Sequence, residues 1–74
     1  MSRLPVLSGR EVVRALERVG YVRDRQRGSH IVLRATKSPH RRVVVPDHDE
    51  VAKGILRAIL RQAGLSVEQF LTLL

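Results

Sequence analysis

Residues 25–34 read RQRGSHIVLR, and they hold the side chains best suited to chemistry. His30 follows Gly28 and Ser29, with Arg25 and Arg27 just before them. Histidine titrates near neutrality, so one imidazole can take and return a proton at cellular pH. Transesterification of RNA needs that service. A 2′-hydroxyl must lose a proton, a leaving 5′-oxygen must gain one, and cations must offset charge on the phosphorane. Arginine's planar fork matches phosphate in a bidentate way. Gly28 allows close backbone approach, and the Ser29 hydroxyl can hydrogen-bond a phosphate oxygen. The same histidine is also compatible with a plain structural role just past a hairpin turn. No Ser–His–Asp or Cys–His arrangement is readable, and neither a P-loop nor a pair of acid carboxylates is present.

Three further candidates lie outside this stretch. Lys53, Arg57 and Arg61 fall at i, i+4 and i+8, so on a helix they form one cationic ridge. Their mutual repulsion would be relieved by a bound anion, although a solvated helix face explains them equally well. His40 sits beside Pro39 in a loop, where an exposed position is expected. His48 lies between Asp47 and Asp49, but aspartates at a helix start are more often caps, and no spaced partner ligands accompany them. No metal site and no cofactor are expected.

The charge points the same way as the turn. Fourteen basic residues against seven acidic ones give a net charge of +7. Between Tyr21 and Val45 lie Arg23, Arg25, Arg27, Arg34, Lys37, Arg41 and Arg42 against Asp24 alone, which is +6 of that total. A basic sheet between nearly neutral flanks is suited to a polyanion. Tyr21 and Phe70 are the only Phe, Tyr or Trp residues, which argues against the aromatic stacking platforms of single-strand binders. Binding would therefore rest on phosphate, sugar and shape. Without cysteine there is neither a disulfide framework nor a thiolate metal site. No apolar run reaches the roughly 18 residues of a membrane span. The opening MSRLPVLSG lacks a signal peptide's apolar stretch, so no membrane association and a cytoplasmic location are expected.

Elements that could position these residues follow from pattern. At 74 residues the chain is expected to form a single domain, residues 1–74. Ser8 and Glu11 make a capping box, and Val12, Val13, Leu16 and Val19 recur at helical spacing up to Gly20, predicting a helix over 9–19. Strands are expected over 21–26, 30–35 and 41–45, with a tight turn at 27–29 and the loop TKSPH between the second and third. Short connections favour an antiparallel meander. In the second strand Ile31 and Leu33 share one face, leaving His30, Val32 and Arg34 on the other. Strict alternation in the first strand puts Arg23, Arg25 and Arg27 with Tyr21, and neither of its faces suits a core, so it should lie at a sheet edge. The segment DHDE should open a second helix, capped by Asp47 or Asp49, with its regular part starting nearer Gly54. Ile55, Leu56, Ala58, Ile59, Leu60 and Ala63 form its apolar stripe, and Gly64 ends it. Ser66 with Gln69 caps a short terminal helix. The expectation is an α+β fold of helix, three-stranded antiparallel sheet, helix and short helix, with one sheet face left in water.

The ordered set LPVLSGREVVRALERVGY, RQRGSH, VVVP and GILRAILRQAGLS resembles the HicA-type toxins of bacterial toxin–antitoxin pairs over nearly the whole chain. That resemblance implies a fold similar to the double-stranded-RNA-binding domain. It also implies an endoribonuclease that cleaves mRNA and blocks translation without a required metal, its catalytic histidine falling on His30. A HicB-type antitoxin protein would cover the active-site face. Arg25, Arg27, Gly28, Ser29 and Arg34 are then expected to hold phosphate, with Lys53, Arg57 and Arg61 as further RNA contacts. The opposing proton-transfer group stays open between His40, another basic residue and water. The rival readings are a non-catalytic RNA-binding module, a basic face that meets an acidic protein, and the antitoxin-binding domain of an inactive toxin.

Overall fold

The computed structural model describes residues 3–74. Its elements run α1 (Gly9–Glu17), β1 (Tyr21–Arg27), β2 (His30–Ala35), β3 (Arg42–Pro46), α2 (Lys53–Ala63) and α3 (Val67–Leu71). The α+β order matches the one expected from pattern. The first helix ends two residues early because its C-cap is Arg18, and Val19 falls in the following turn, 43% exposed.

α1 begins where its side chains can satisfy free backbone donors. The Ser8 hydroxyl accepts from the Glu11 amide, and the Glu11 carboxylate accepts from the Ser8 amide. The Ser8 backbone amide, and after it the Ser8 hydroxyl, hold the Glu11 carboxyl below the usual carboxylate range. Val12, Val13, Ala15 and Leu16 then face inward at helical spacing. The helix start presses on the end of β3: a Cβ added to Gly9 would lie 2.0 Å from the Pro46 carbonyl oxygen. Only glycine allows that approach.

The three strands form one antiparallel sheet in the order β1-β2-β3. Ile31 and Leu33 of β2 lie opposite Val45 and Val43 of β3, and all four are fully buried. They meet Leu16 of α1, Leu56, Ile59 and Leu60 of α2, and Phe70 of α3 in one apolar core. Helices thus cover one sheet face and leave the other open.

The second helix differs from expectation at its start. Residues 47–52 are not helical, and the N-cap is Ala52, with no side-chain cap. Asp47 and Asp49 therefore do not cap α2. Asp47 is instead drawn away by the turn before β2 and by Arg10 of α1. Within α2 the buried stripe is Leu56, Ile59 and Leu60, while Ile55 is 46% exposed. The helix stops at Gly64 with a left-handed φ of 73°, under the guanidinium of Arg41. α3 repeats the capping box with Ser66 and Gln69.

Replacing Ser8 with alanine should cost about 1 kcal/mol, lowering the melting temperature by about 4–8 °C. It should also let the Glu11 pKa rise toward its ordinary value, which carboxyl NMR would read. Because the folded-state pKa is the lower one, this contribution is present at neutral pH and is lost as pH falls through the acid range.

Candidate functional site

β1 and β2 are joined by the two turn residues Gly28 and Ser29, which stand between the paired residues Arg27 and His30. Gly28 has φ 56°, and Ser29 is not among the residues with positive φ. A positive φ at the first central position alone is the pattern of a type II′ hairpin turn, which asks for glycine there. A Cβ on Gly28 would meet nothing within 4 Å, so the space beside the glycine is open.

The faces of β1 are decided one residue earlier. Its pairing with β2 runs Arg23 to Leu33 and then Arg25 to Val32, leaving Asp24 as an extra residue in a bulge. Up to the bulge, Tyr21 and Arg23 lie on the helix-covered side with Ala35 and Leu33. Past it, Gln26 takes the covered side opposite Ile31, and Arg25 and Arg27 turn to the open side with Val32 and His30. Strict alternation had placed Arg25 and Arg27 with Tyr21. The inserted residue shifts the phase by one and reverses them.

One open face therefore carries Arg25, Arg27, His30 and Arg34, together with Val22, Val32 and Val44. Arg27 is directly opposite His30, and Arg25 is diagonal to it. Such positions hold their Cβ atoms about 5 Å and about 7–8 Å apart. Arg34 is four residues along β2, roughly 13 Å from His30 at the usual strand rise. It belongs to the same surface and reaches a different part of any bound polyanion.

Arg42 joins this face. It lies opposite Arg34, and its guanidinium pairs with the Asp24 carboxylate. Two arginines directly opposed on a sheet repel, and the acid in the bulge offsets that repulsion. In the sequence Arg42 stands out only as part of the basic excess. Its spacing from Val43 and Val45, which alternate inward, is the signal that finds it.

The other candidates lie elsewhere. Lys53, Arg57 and Arg61 are exposed on α2, a helix whose buried residues pack on the covered face of the sheet. His40 follows the far end of β2, where its Nδ1 lies 3.1 Å from the Ala35 carbonyl oxygen. The five residue steps from His30 to Ala35 span about 17 Å, so His40 does not share a site with His30. Among the described residues, no group of three or more histidine or acidic side chains gathers where it could hold an ion, His48 included. No helix of the described residues is long and apolar enough to cross a membrane.

A family model described as the HicA toxin of bacterial toxin-antitoxin matches residues 9–65, from the start of α1 to just past α2. Among solved structures, the chain is similar to one from a toxin-antitoxin complex of Streptococcus pneumoniae, at 33% identity and a TM-score of 0.67. That likeness covers 80% of this chain and 98% of the other. No curated protein matches.

Asp24 is the only acidic residue of the three strands. Changing Asp24 to asparagine should free Arg42 and add to the positive potential of the open face, so the variant should leave a heparin column at higher salt. Unchanged or earlier elution would show that another surface grips the polyanion.

Proposed function

The chain belongs to the HicA toxin family of bacterial toxin–antitoxin systems, and from that premise we propose that it is an endoribonuclease that cleaves mRNA and so blocks translation. The observation that carries this reading is the open sheet face on which His30 stands beside Arg27 and diagonal to Arg25.

The chemistry asked of the site is a transesterification. The 2′-oxygen of one nucleotide attacks the adjoining phosphorus, and the bond from phosphorus to the 5′-oxygen breaks. A 2′,3′-cyclic phosphate and a 5′-hydroxyl result. One proton leaves the attacking hydroxyl and one arrives on the leaving oxygen. His30 carries out one of these transfers as general base or acid. Arg25 and Arg27 hold the phosphate and offset the charge that builds on it. Gly28 and Ser29 border the same turn, where the glycine lets an RNA backbone come close and the serine hydroxyl offers a hydrogen bond. Arg34 holds a neighbouring phosphate. With His40 at the far end of β2, the opposite proton transfer falls to water or to a basic residue beside His30. The reaction needs no metal ion in this scheme. Lys53, Arg57 and Arg61 stand outside the cleavage site and add longer-range attraction for RNA.

The regulating partner in this reading is a HicB-type antitoxin that covers the open face. The similarity to a chain from a toxin-antitoxin complex supports a protein partner. Val22, Val32 and Val44 among the arginines suit a partner that is acidic and partly apolar.

Changing His30 to alanine should abolish RNA cleavage and growth arrest while leaving the circular dichroism spectrum intact; full cleavage by that variant would refute the assignment. Wild-type cleavage should continue in EDTA, and changing His40 to alanine should leave it unaltered. Changing Arg25 or Arg27 to glutamine should each weaken RNA binding and flatten the slope of log affinity against log salt by about 0.7.

A further inference from the structure

We infer that Gln26 and Asp47 form a brace that positions the Gly28–Ser29 turn and, through it, His30; the inference rests on the nuclease reading of His30. No atom packs where a Gly28 side chain would stand, so the turn depends on the hydrogen bonds to its backbone. Both turn carbonyls are held from the covered side of the sheet. The Asp47 amide donates to the Ser29 carbonyl at 2.5 Å. The Gln26 side-chain amide donates to the Gly28 carbonyl at 3.0 Å.

Gln26 is itself held. Its Nε2 also lies 3.3 Å from Asp47 Oδ2, so the two turn tethers meet at one residue. The other carboxylate oxygen of Asp47 lies 3.4 Å from Arg10 Nε at the start of α1. The Gly9 amide donates to the His48 carbonyl at 2.9 Å, fixing the same connector to the helix. The Asp47 side chain is only 23% exposed, whereas that of Arg10 is 74% exposed. Gln26 and Arg10 are both exposed, so the half-buried Asp47 carboxylate is the sheltered member of this network.

Neither residue reaches the open face. Gln26 lies opposite Ile31 on the covered side, where it cannot touch an RNA bound over His30. Both are thus positioning residues, acting through the turn on the residue that immediately follows it. A displacement of about 1 Å at a catalytic group can cost about 100-fold in rate. A loosened turn should therefore appear in the chemical step more than in binding.

The test compares Gln26→Ala, Asp47→Ala and Asp47→Asn with wild type and His30→Ala, using a single-stranded RNA substrate. Gln26→Ala and Asp47→Ala should each lower kcat by about 10–100-fold and leave KM within about threefold of wild type. Asp47→Asn keeps an oxygen acceptor for Gln26 and should restore most of the rate. The double alanine variant should be little worse than the weaker single one, because both remove one unit. Hydrogen exchange of the Ser29 and His30 amides, measured without RNA, should quicken in both alanine variants and not in Asp47→Asn. Wild-type rate and unchanged exchange in the alanine variants, with His30→Ala inactive, would overturn the brace. Equal losses in Asp47→Asn and Asp47→Ala would overturn it as well. A fully active His30→Ala would sink the catalytic reading of His30, and the exchange measurement would still decide the brace.

Discussion

A single inserted residue in β1 governs where this protein's charge lies. Pleated strands show alternate side chains to opposite faces, so one extra position reverses every side chain beyond it. With Asp24 as that extra position, the start of β1 contributes Tyr21 to the core and the end contributes Arg25 and Arg27 to the open face. An unbulged strand with the same sequence would turn Arg25 and Arg27 away from His30, to the side where Arg23 already stands exposed. The grouping of Arg25 and Arg27 with His30 thus depends on the bulge.

The bulge residue also stabilises the face it creates. Arg34 and Arg42 are direct cross-strand partners, and their like charges oppose pairing. The Asp24 carboxylate lies against Arg42 and reduces that opposition. Exposed ion pairs contribute little to stability in general. Here the greater effect is on potential, because Asp24 is the only acid among the strands and sets how much of the arginine charge remains unopposed.

Much of the frame was legible in the residues themselves. Capping boxes at Ser8 and Ser66, the glycine stop at Gly64 and the inward alternation of Ile31, Leu33, Val43 and Val45 are local signals, and each agrees with what the chain adopts. The family resemblance is supported by the match over residues 9–65. Misreadings arose where a distant partner competed with a local preference. Asp47 has the chemistry of a helix cap, but the turn before β2 and Arg10 claim it, and α2 starts uncapped at Ala52. Ile55 has the hydrophobicity of a core residue, yet the rotation of α2 against β3 faces it outward. The bulge at Asp24 has no strong local signature, because it is a property of pairing with β2.

Local rules therefore sufficed for the order of elements, the inner face of β2 and the basic excess. All of these depend on side-chain type and on spacing within a few residues. Tertiary structure alone decided that Arg25 and Arg27 face the same side as His30 and that Arg42 joins them. It also separated His40 from His30 by the length of β2 and tied the turn to Asp47. The reason is physical: strand register and the meeting of distant side chains are set by simultaneous burial of one shared core, to which no short segment has access on its own.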